Sequence, residues 1–262
     1  MNNEAIESFL KDLLIPKLSE EQKMSCEGKI TSEECALLLE CFQNNKSPVG
    51  TMELSLNSIK KFWPLISEPF IQCINKCFKK GEMSLSQKQA VITLIEKKGK
   101  DRSFLDNWRP ISLVNVDAKI MSKAIATRIK NVLPNIIHHN QTGFIEDRYI
   151  GETVRSIFDI MDFTAKQDIP GLLIFIDFRK AFDSLERNFL QRCLESFNFG
   201  PNFIRWVMTF YNNIYKAALL TMVSRLITSQ LNEELDKEIH FLHISLWWPL
   251  KPWLSQLDKI QR

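Results

Sequence analysis

Apolar residues recur at helical spacing over most of the first third of the chain. Thr31 followed by Glu34 is a capping-box start, and Leu37, Leu38 and Cys41 continue it as an apolar stripe. A second helix is predicted through Phe70, Ile74, Cys77 and Phe78; Lys79 and Lys80 in its last turn and Gly81 just beyond are stop signals. From Gln89 the period changes. Residues 90–95 form a short β-branched run that reads as a strand and discharges into Glu96-Lys97-Lys98-Gly99-Lys100-Asp101-Arg102. A strand pair is expected here, with the basic segment as its turn, followed by Asn107-Trp108-Arg109-Pro110-Ile111-Ser112-Leu113.

The next helix is predicted over about residues 118–133, with Ile120, Met121, Ala124, Ile125, Ile129 and Val132 on its apolar face and Pro134 closing it. A polar loop carries Gln141-Thr142-Gly143-Phe144 and runs to Arg148. Another helix is predicted over about residues 153–165. The strongest strand signal is the unbroken apolar run from residue 171 to Ile176, ending in Asp177 and expected to be buried on both faces. Helices over about 185–197 and 201–211 follow, the second with Pro201 at its first position.

Composition adds little. With 262 residues, 45% hydrophobic and 25% charged, the chain can build one large or two small cores, and a net charge of +3 names no partner. Local basic grooves remain possible within that total. The six cysteines form neither CxxC pairs nor a set with histidines; Cys73 and Cys77, four apart, are expected as two small buried thiols on one helix face. No signal peptide is read at the N-terminus, so an intracellular setting, nucleus or cytoplasm, is expected. The apolar stretch from Phe241 to Leu254 is short and interrupted by His243, Pro249, Lys251 and Pro252, so it does not read as a membrane span.

A carboxylate at the end of an apolar strand, as at Asp177, can hold a divalent metal beside a phosphate-bearing substrate; a lone acid there can equally cap a turn. The neighbouring residues decide between these. Ile176-Asp177-Phe178-Arg179-Lys180-Ala181-Phe182-Asp183-Ser184-Leu185 resembles the first palm motif of reverse transcriptases from non-LTR (LINE-type) retrotransposons. Three further stretches resemble that family's fingers motifs, in its order and at its spacing. They are Ile92 to Ile95 with Lys97 to Lys100, Asn107 to Leu113 with Asn115-Val116-Asp117-Ala118-Lys119-Ile120, and Gln141 to Phe144. The resemblance covers roughly residues 31–214.

The resemblance implies an α+β fold: a helix-rich partial right-hand polymerase, fingers plus truncated palm, with a disordered or non-native C-terminal tail. It divides the chain into a helical extension (1–88), fingers (89–168), partial palm (169–214) and tail (215–262). It implies that Asp177 is one of three carboxylates holding Mg²⁺, which activates a primer 3′-hydroxyl and stabilises the leaving pyrophosphate. Phe182 would lie under the sugar of the incoming deoxynucleotide, where its ring excludes a 2′-hydroxyl; its alternative is core packing. Lys98 and Arg109 would hold the triphosphate, and Gln141, Gly143 and Phe144 would lie near the template. Asp183 would cap the following helix. The implied partners are an RNA template, a DNA primer and deoxynucleotides, with no membrane and no protein partner indicated. A non-catalytic alternative uses Lys97, Lys98, Lys100, Arg102, Arg109 and Arg148 as a sequence-independent nucleic-acid-binding surface.

Two departures from the family stand out. Glu96 occupies a position usually held by proline. The chain also has no adjacent pair of aspartates, so two of the three metal-binding acids are missing. Back-translating Ser229 to Phe241 with permitted codons and reading one nucleotide earlier spells S-I-E-R-G-V-R-Q-G-D-P-F, in the style of the missing segment. The tail, starting between Tyr215 and Ser229, therefore reads as an out-of-frame translation, with Trp247, Trp248 and Trp253 as exposed apolar surface. A second shifted stretch is read from Val49 to Lys60.

Overall fold

The computed structural model describes residues 3–42, 55–176 and 185–212, and the backbone alone of 217–219. Asp177, Phe182, Asp183 and nearly all of the predicted tail lie outside the described residues.

Nine α-helices and three strands are described. The helices before the sheet are α1 (Asn3–Lys11), α2 (Glu20–Cys26), α3 (Ser32–Cys41), α4 (Leu56–Lys80) and α5 (Leu85–Lys88). After them come β1 (Ala90–Glu96), β2 (Trp108–Val114), α6 (Val116–Ile136), α7 (Ile150–Lys166), α8 (Arg187–Ser196), α9 (Pro201–Tyr211) and β3 (Ala217–Leu219). The sheet order is β2-β1-β3, with β1 antiparallel to β2 and parallel to β3.

The core gathers around α6, whose predicted apolar positions are all buried. It packs against α2, α3 and α9, while α8 joins α1 to α9. Trp206, Phe189 and Phe203 are fully buried; the Trp206 ring stacks on Phe78 at 4.7 Å and its indole N–H donates to the Gly28 carbonyl at 3.0 Å. A buried indole needs that partner, because an unpaired N–H in an apolar core costs about 1–3 kcal/mol.

Arg128 of α6 fastens the turn between α2 and α3. Its guanidinium donates to the carbonyls of Cys26, Glu27, Gly28 and Lys29 and, through Nε and Nη2, to the Glu34 carboxylate at 2.8 and 2.7 Å. This changes the expected capping box. Thr31 does accept from the Glu34 backbone N–H, but the Glu34 side chain turns to Arg128.

Several expectations are corrected. The buried stripe of α3 is Cys35, Leu38 and Leu39, whereas Leu37 and Cys41 face outward. Cys77 is buried and donates to the Gln87 side chain at 3.1 Å, but Cys73 is exposed, so the two thiols do not share a buried face. Burial pushes the thiols of Cys35 and Cys193 up to about 12, which keeps them protonated and unreactive. The second helix starts earlier than its stop signals alone suggest and carries Pro64 and Pro69 inside it; Ser55 caps its start and Gly81, at φ +72°, ends it as predicted. Pro134 does not end α6, which runs two residues further.

The largest correction concerns residues 171–176. They are not a buried strand: no ladder joins them to the described residues, and Leu172, Leu173, Ile174, Phe175 and Ile176 are all exposed. Strand propensity is satisfied only when a neighbour supplies the ladder, and no described strand lies beside this segment.

Candidate nucleotide- and nucleic-acid-binding site

The expected strand pair exists. β1 and β2 run antiparallel in a register that sets Ala90 opposite Val114, Ile95 opposite Arg109 and Glu96 opposite Trp108. Period-two alternation puts Ala90 and Ile92, with Ser112 and Val114, on the buried face. Arg109 and Ile111 lie on the other face, exposed, and Arg109 sits beside the exposed Ile95.

Beyond Glu96 the ladder continues through one more bond, from the Lys97 N–H to the Asn107 carbonyl at 2.8 Å. The chain then turns over Lys97 to Lys100, closed by the Lys100 N–H on the Lys97 carbonyl at 3.2 Å. Gly99, the third residue of this turn, has φ +74°, the left-handed conformation a type II turn needs there. The turn therefore presents Lys98 at its tip, exposed.

The rest of the connection is braced. Arg102 pairs with Glu96 at 2.5 Å, and the Trp108 indole N–H donates to the Arg102 carbonyl at 3.0 Å. Asn107 donates to the Asp101 carbonyl, and the Lys97 ammonium to the Asp106 carbonyl. The Ser103 backbone N–H on its carboxylate holds Asp101 below the usual carboxylate range. Glu96, which departs from the family pattern, is thus the anchor of Arg102. The opposite charges six residues apart were the available sequence signal for this brace. The side chains of Lys98, Lys100 and Arg109 make no hydrogen bond or ion pair with the described residues, which separates them from the braced Lys97 and Arg102.

The loop between α6 and α7 carries Gln141, Gly143 and Phe144. It is held at its far end by Arg148, whose guanidinium donates to four carbonyls: Pro134, Ile137, His138 and Gln141. These include carbonyls from the end of α6, where Pro134 and the helix terminus leave acceptors without helical donors. Arg148 is therefore committed to the loop and is removed from the expected basic surface. The loop is also tied by Ile145, which is buried, and by Thr142, whose hydroxyl meets that of Thr153 at 2.6 Å.

Within this frame Phe144 has φ +64° and its side chain is 60% exposed. A non-glycine residue in the left-handed region costs on the order of 1–2 kcal/mol, and the clasp by Arg148 helps to hold it there. The Gln141 side-chain amide donates to the Gly143 carbonyl at 3.2 Å. A Cβ at Gly143 would meet nothing nearer than 3.8 Å, so the described fold itself does not demand a glycine.

Asn115, fully buried where β2 enters α6, donates to the Ser86 carbonyl at 2.6 Å and ties the sheet to α5. Beside it burial raises the carboxyl of Asp117 and lowers the ammonium of Lys119. Sequence reading matched these residues to a family motif without finding that they are partly desolvated charges.

The structure thus places Lys98 and Arg109 on one hairpin and Gln141, Gly143 and Phe144 on one loop at the opposite end of α6. Among the described residues, which do not include Asp177, no three His, Cys, Asp or Glu side chains come together to hold a metal ion. No helix among them is long and apolar enough to cross a membrane.

Comparison with known proteins identifies the family of part of this chain. The family model described as reverse transcriptase (RNA-dependent DNA polymerase) matches residues 95–238, and so runs past the stretch from Tyr215 to Ser229 in which the out-of-frame tail was expected to begin. The 149 kDa protein of transposon TX1 from Xenopus laevis is 36% identical over 197 residues, 75% of this chain and 15% of the relative. The 115 kDa protein in the type-1 retrotransposable element R1DM of Drosophila melanogaster is 27% identical over 128 residues, 48% of this chain and 12% of the relative. The match therefore spans only a small part of each relative's length. Within that span the chain belongs to the reverse transcriptase (RNA-dependent DNA polymerase) family, in its LINE-type, non-LTR retrotransposon branch.

Proposed function

We propose that this chain is the front part of a LINE-type reverse transcriptase that retains a phosphate-binding fingers hairpin but does not copy RNA into DNA by itself. The observation that carries the reading is the hairpin. Its register and Gly99 turn leave Lys98 and Arg109 exposed while neighbouring cations are spent on bracing. Two cations on a rigid support suit a triphosphate or a nucleic-acid backbone, since little ordering entropy is lost on binding.

Phe144 and Gly143 support a template contact in the same reading. An exposed aromatic ring in a clamped loop is a stacking platform for a base, and a glycine that the fold does not require leaves room for close approach. Asp177 is the one metal-binding acid of the expected three. Groups that act as one unit lose nearly all function when one is removed, so polymerisation is expected to be absent. The out-of-frame tail supplies the reason for the missing pair, and genomic sequence lacking the shifted reading would overturn it.

Primer extension on an RNA template with Mg²⁺ and deoxynucleotides tests the reading, run on the chain and on Asp177→Asn. No product from either is expected; extension abolished by the substitution would mean that other acids complete the site. A binding assay across salt concentrations tests the non-catalytic part. Lys98→Ala with Arg109→Ala should reduce the slope of log affinity against log salt by ~0.7 per lost contact on single strands. Absence of binding at low salt would remove the nucleic-acid reading altogether.

A further inference from the structure

Between the C-terminal turns of α4 and the short helix α5 lies a cavity of about 550 Å³. That is within the roughly 300–1,000 Å³ of small-ligand sites. Cys73, Lys76 and Lys80 line it from α4, three and then four residues apart, the spacing of one helical face. Met83 and Leu85 add apolar surface, and Leu85 is 65% exposed. Lys88 forms the opposite wall with a side chain only 7% exposed, held by the Glu82 carboxylate at 3.1 Å. A buried ammonium needs such a partner, and Glu82 is the only acid among the described lining residues.

The two cations on α4 have no such employment. The side chains of Lys76 and Lys80 make no hydrogen bond or ion pair with the described residues. Lysines near a helix C-terminus ordinarily serve its last carbonyls. Here the carbonyls of Phe78 and Lys79 accept from the Arg205 guanidinium, and that of Cys77 accepts from the Gly81 N–H. The cavity therefore joins two uncompensated ammonium groups to an apolar wall.

We propose that this cavity is a second phosphate site, separate from the hairpin, and that it takes a nucleotide. Lys76 and Lys80 hold the phosphate oxygens, while Met83 and Leu85 lie against the nucleoside. A ligand with an anionic end and an apolar ring satisfies both parts of the lining at once; an inorganic anion would leave the apolar wall wet. The same chemistry is presented by a free nucleotide and by a nucleotide within a single strand. The site stands apart from the hairpin in space as well. Helix α5 leads through Gln89 into β1 at Ala90, and Lys98 lies beyond the far end of that strand. The intervening strand is about 20 Å long.

Cys73 reports occupancy. It and Cys41 are the exposed thiols, and Cys41 lies on α3, outside the cavity. The full chain is alkylated with iodoacetamide at constant ionic strength, with deoxyadenosine triphosphate or a single-stranded oligonucleotide titrated in, and each cysteine is followed by peptide mass spectrometry. At about ten times its dissociation constant a bound probe should slow the reaction at Cys73 on the order of tenfold and leave Cys41 unchanged. Protection by the triphosphate identifies free nucleotide as a source of the ligand; protection by the oligonucleotide alone identifies a strand. Lys76→Gln with Lys80→Gln should abolish the protection with unchanged circular dichroism, since both side chains are exposed. Lys98→Ala with Arg109→Ala should preserve it, which separates this site from the hairpin. No protection by either probe at any concentration, equal slowing at Cys41, survival of protection in the Lys76 and Lys80 variant, or its loss in the Lys98 and Arg109 variant would each overturn the proposal.

Discussion

Helices α6 and α7 are neighbours in sequence and alike in design, both long and both amphipathic, yet α6 is the most buried element of the fold and α7 has no buried residue. The difference lies in what surrounds them. Helix α6 is met by α2, α3 and α9, which fill its apolar side with Cys26, Leu38, Leu39, Phe203 and Val207, whereas no described element covers α7. An apolar stripe states a demand for burial; whether the demand is met depends on the rest of the chain. Stability should therefore be concentrated in the body around α6 and nearly absent from α7.

The widest gap should appear on truncating aromatic rings. Phe203→Ala in the body should cost about 3–5 kcal/mol, while Phe158→Ala on α7 should stay within about 0.5 kcal/mol, both read by urea denaturation. Comparable losses would mean that α7 is packed after all. The two arginine clasps should differ next. Arg128→Met strands the Glu34 carboxylate and four carbonyls in a partly buried place, for about 2–3 kcal/mol of global stability. Arg148→Ala should cost about 1–2 kcal/mol, and hydrogen exchange should show the loss confined to the loop at Gln141 to Arg148. Equal loosening of the body by both substitutions would erase the distinction.

The smallest effect is a pH dependence at the sheet's entry into α6. Burial raises Asp117 above its ordinary value of 3.8, so the folded chain holds that proton more tightly than the unfolded chain does. Stability contributed there is full below the ordinary value, falls as pH rises through the raised one, and is lost above it. Asp117→Asn should accordingly raise the denaturation midpoint near neutral pH and leave it unchanged well below the ordinary value. A midpoint gain that is equal at both would point to packing and not to charge.

Local signals were legible where local physics decides the outcome. The α6 face, the Gly81 stop, the Pro201 start and the hairpin with its Gly99 turn follow from spacing and backbone preference over a few residues. Reading failed where a distant group intervened. Glu34 left its capping box for Arg128, 94 residues away, and the stripe of α3 turned toward Cys35 to meet α6. Pro64 and Pro69 sit within α4 because a long helix can tolerate lost hydrogen bonds when Leu56, Ile59 and Ile74 bury its face. That burial also shows that the stretch at Ser55 to Lys60, read as shifted in frame, packs as part of the body. Of the candidate site, the chemistry of Lys98 and Arg109 was visible in sequence. The spending of Lys97, Arg102 and Arg148 on carbonyls and a carboxylate was not, because those partners are set by turns.

The bond from Trp206 to the carbonyl of Gly28 joins residues 178 apart. A ribosome makes the chain in one direction at about 5–20 residues per second, so roughly 10–35 seconds separate the appearance of these two groups. Throughout that interval the turn at Gly28 lacks the ring that will seal it, and the cavity that Phe189 and Phe203 later fill stands open. A nascent chain of this kind offers its first helices to chaperones for most of its synthesis. It can lock them only near the end of the described body.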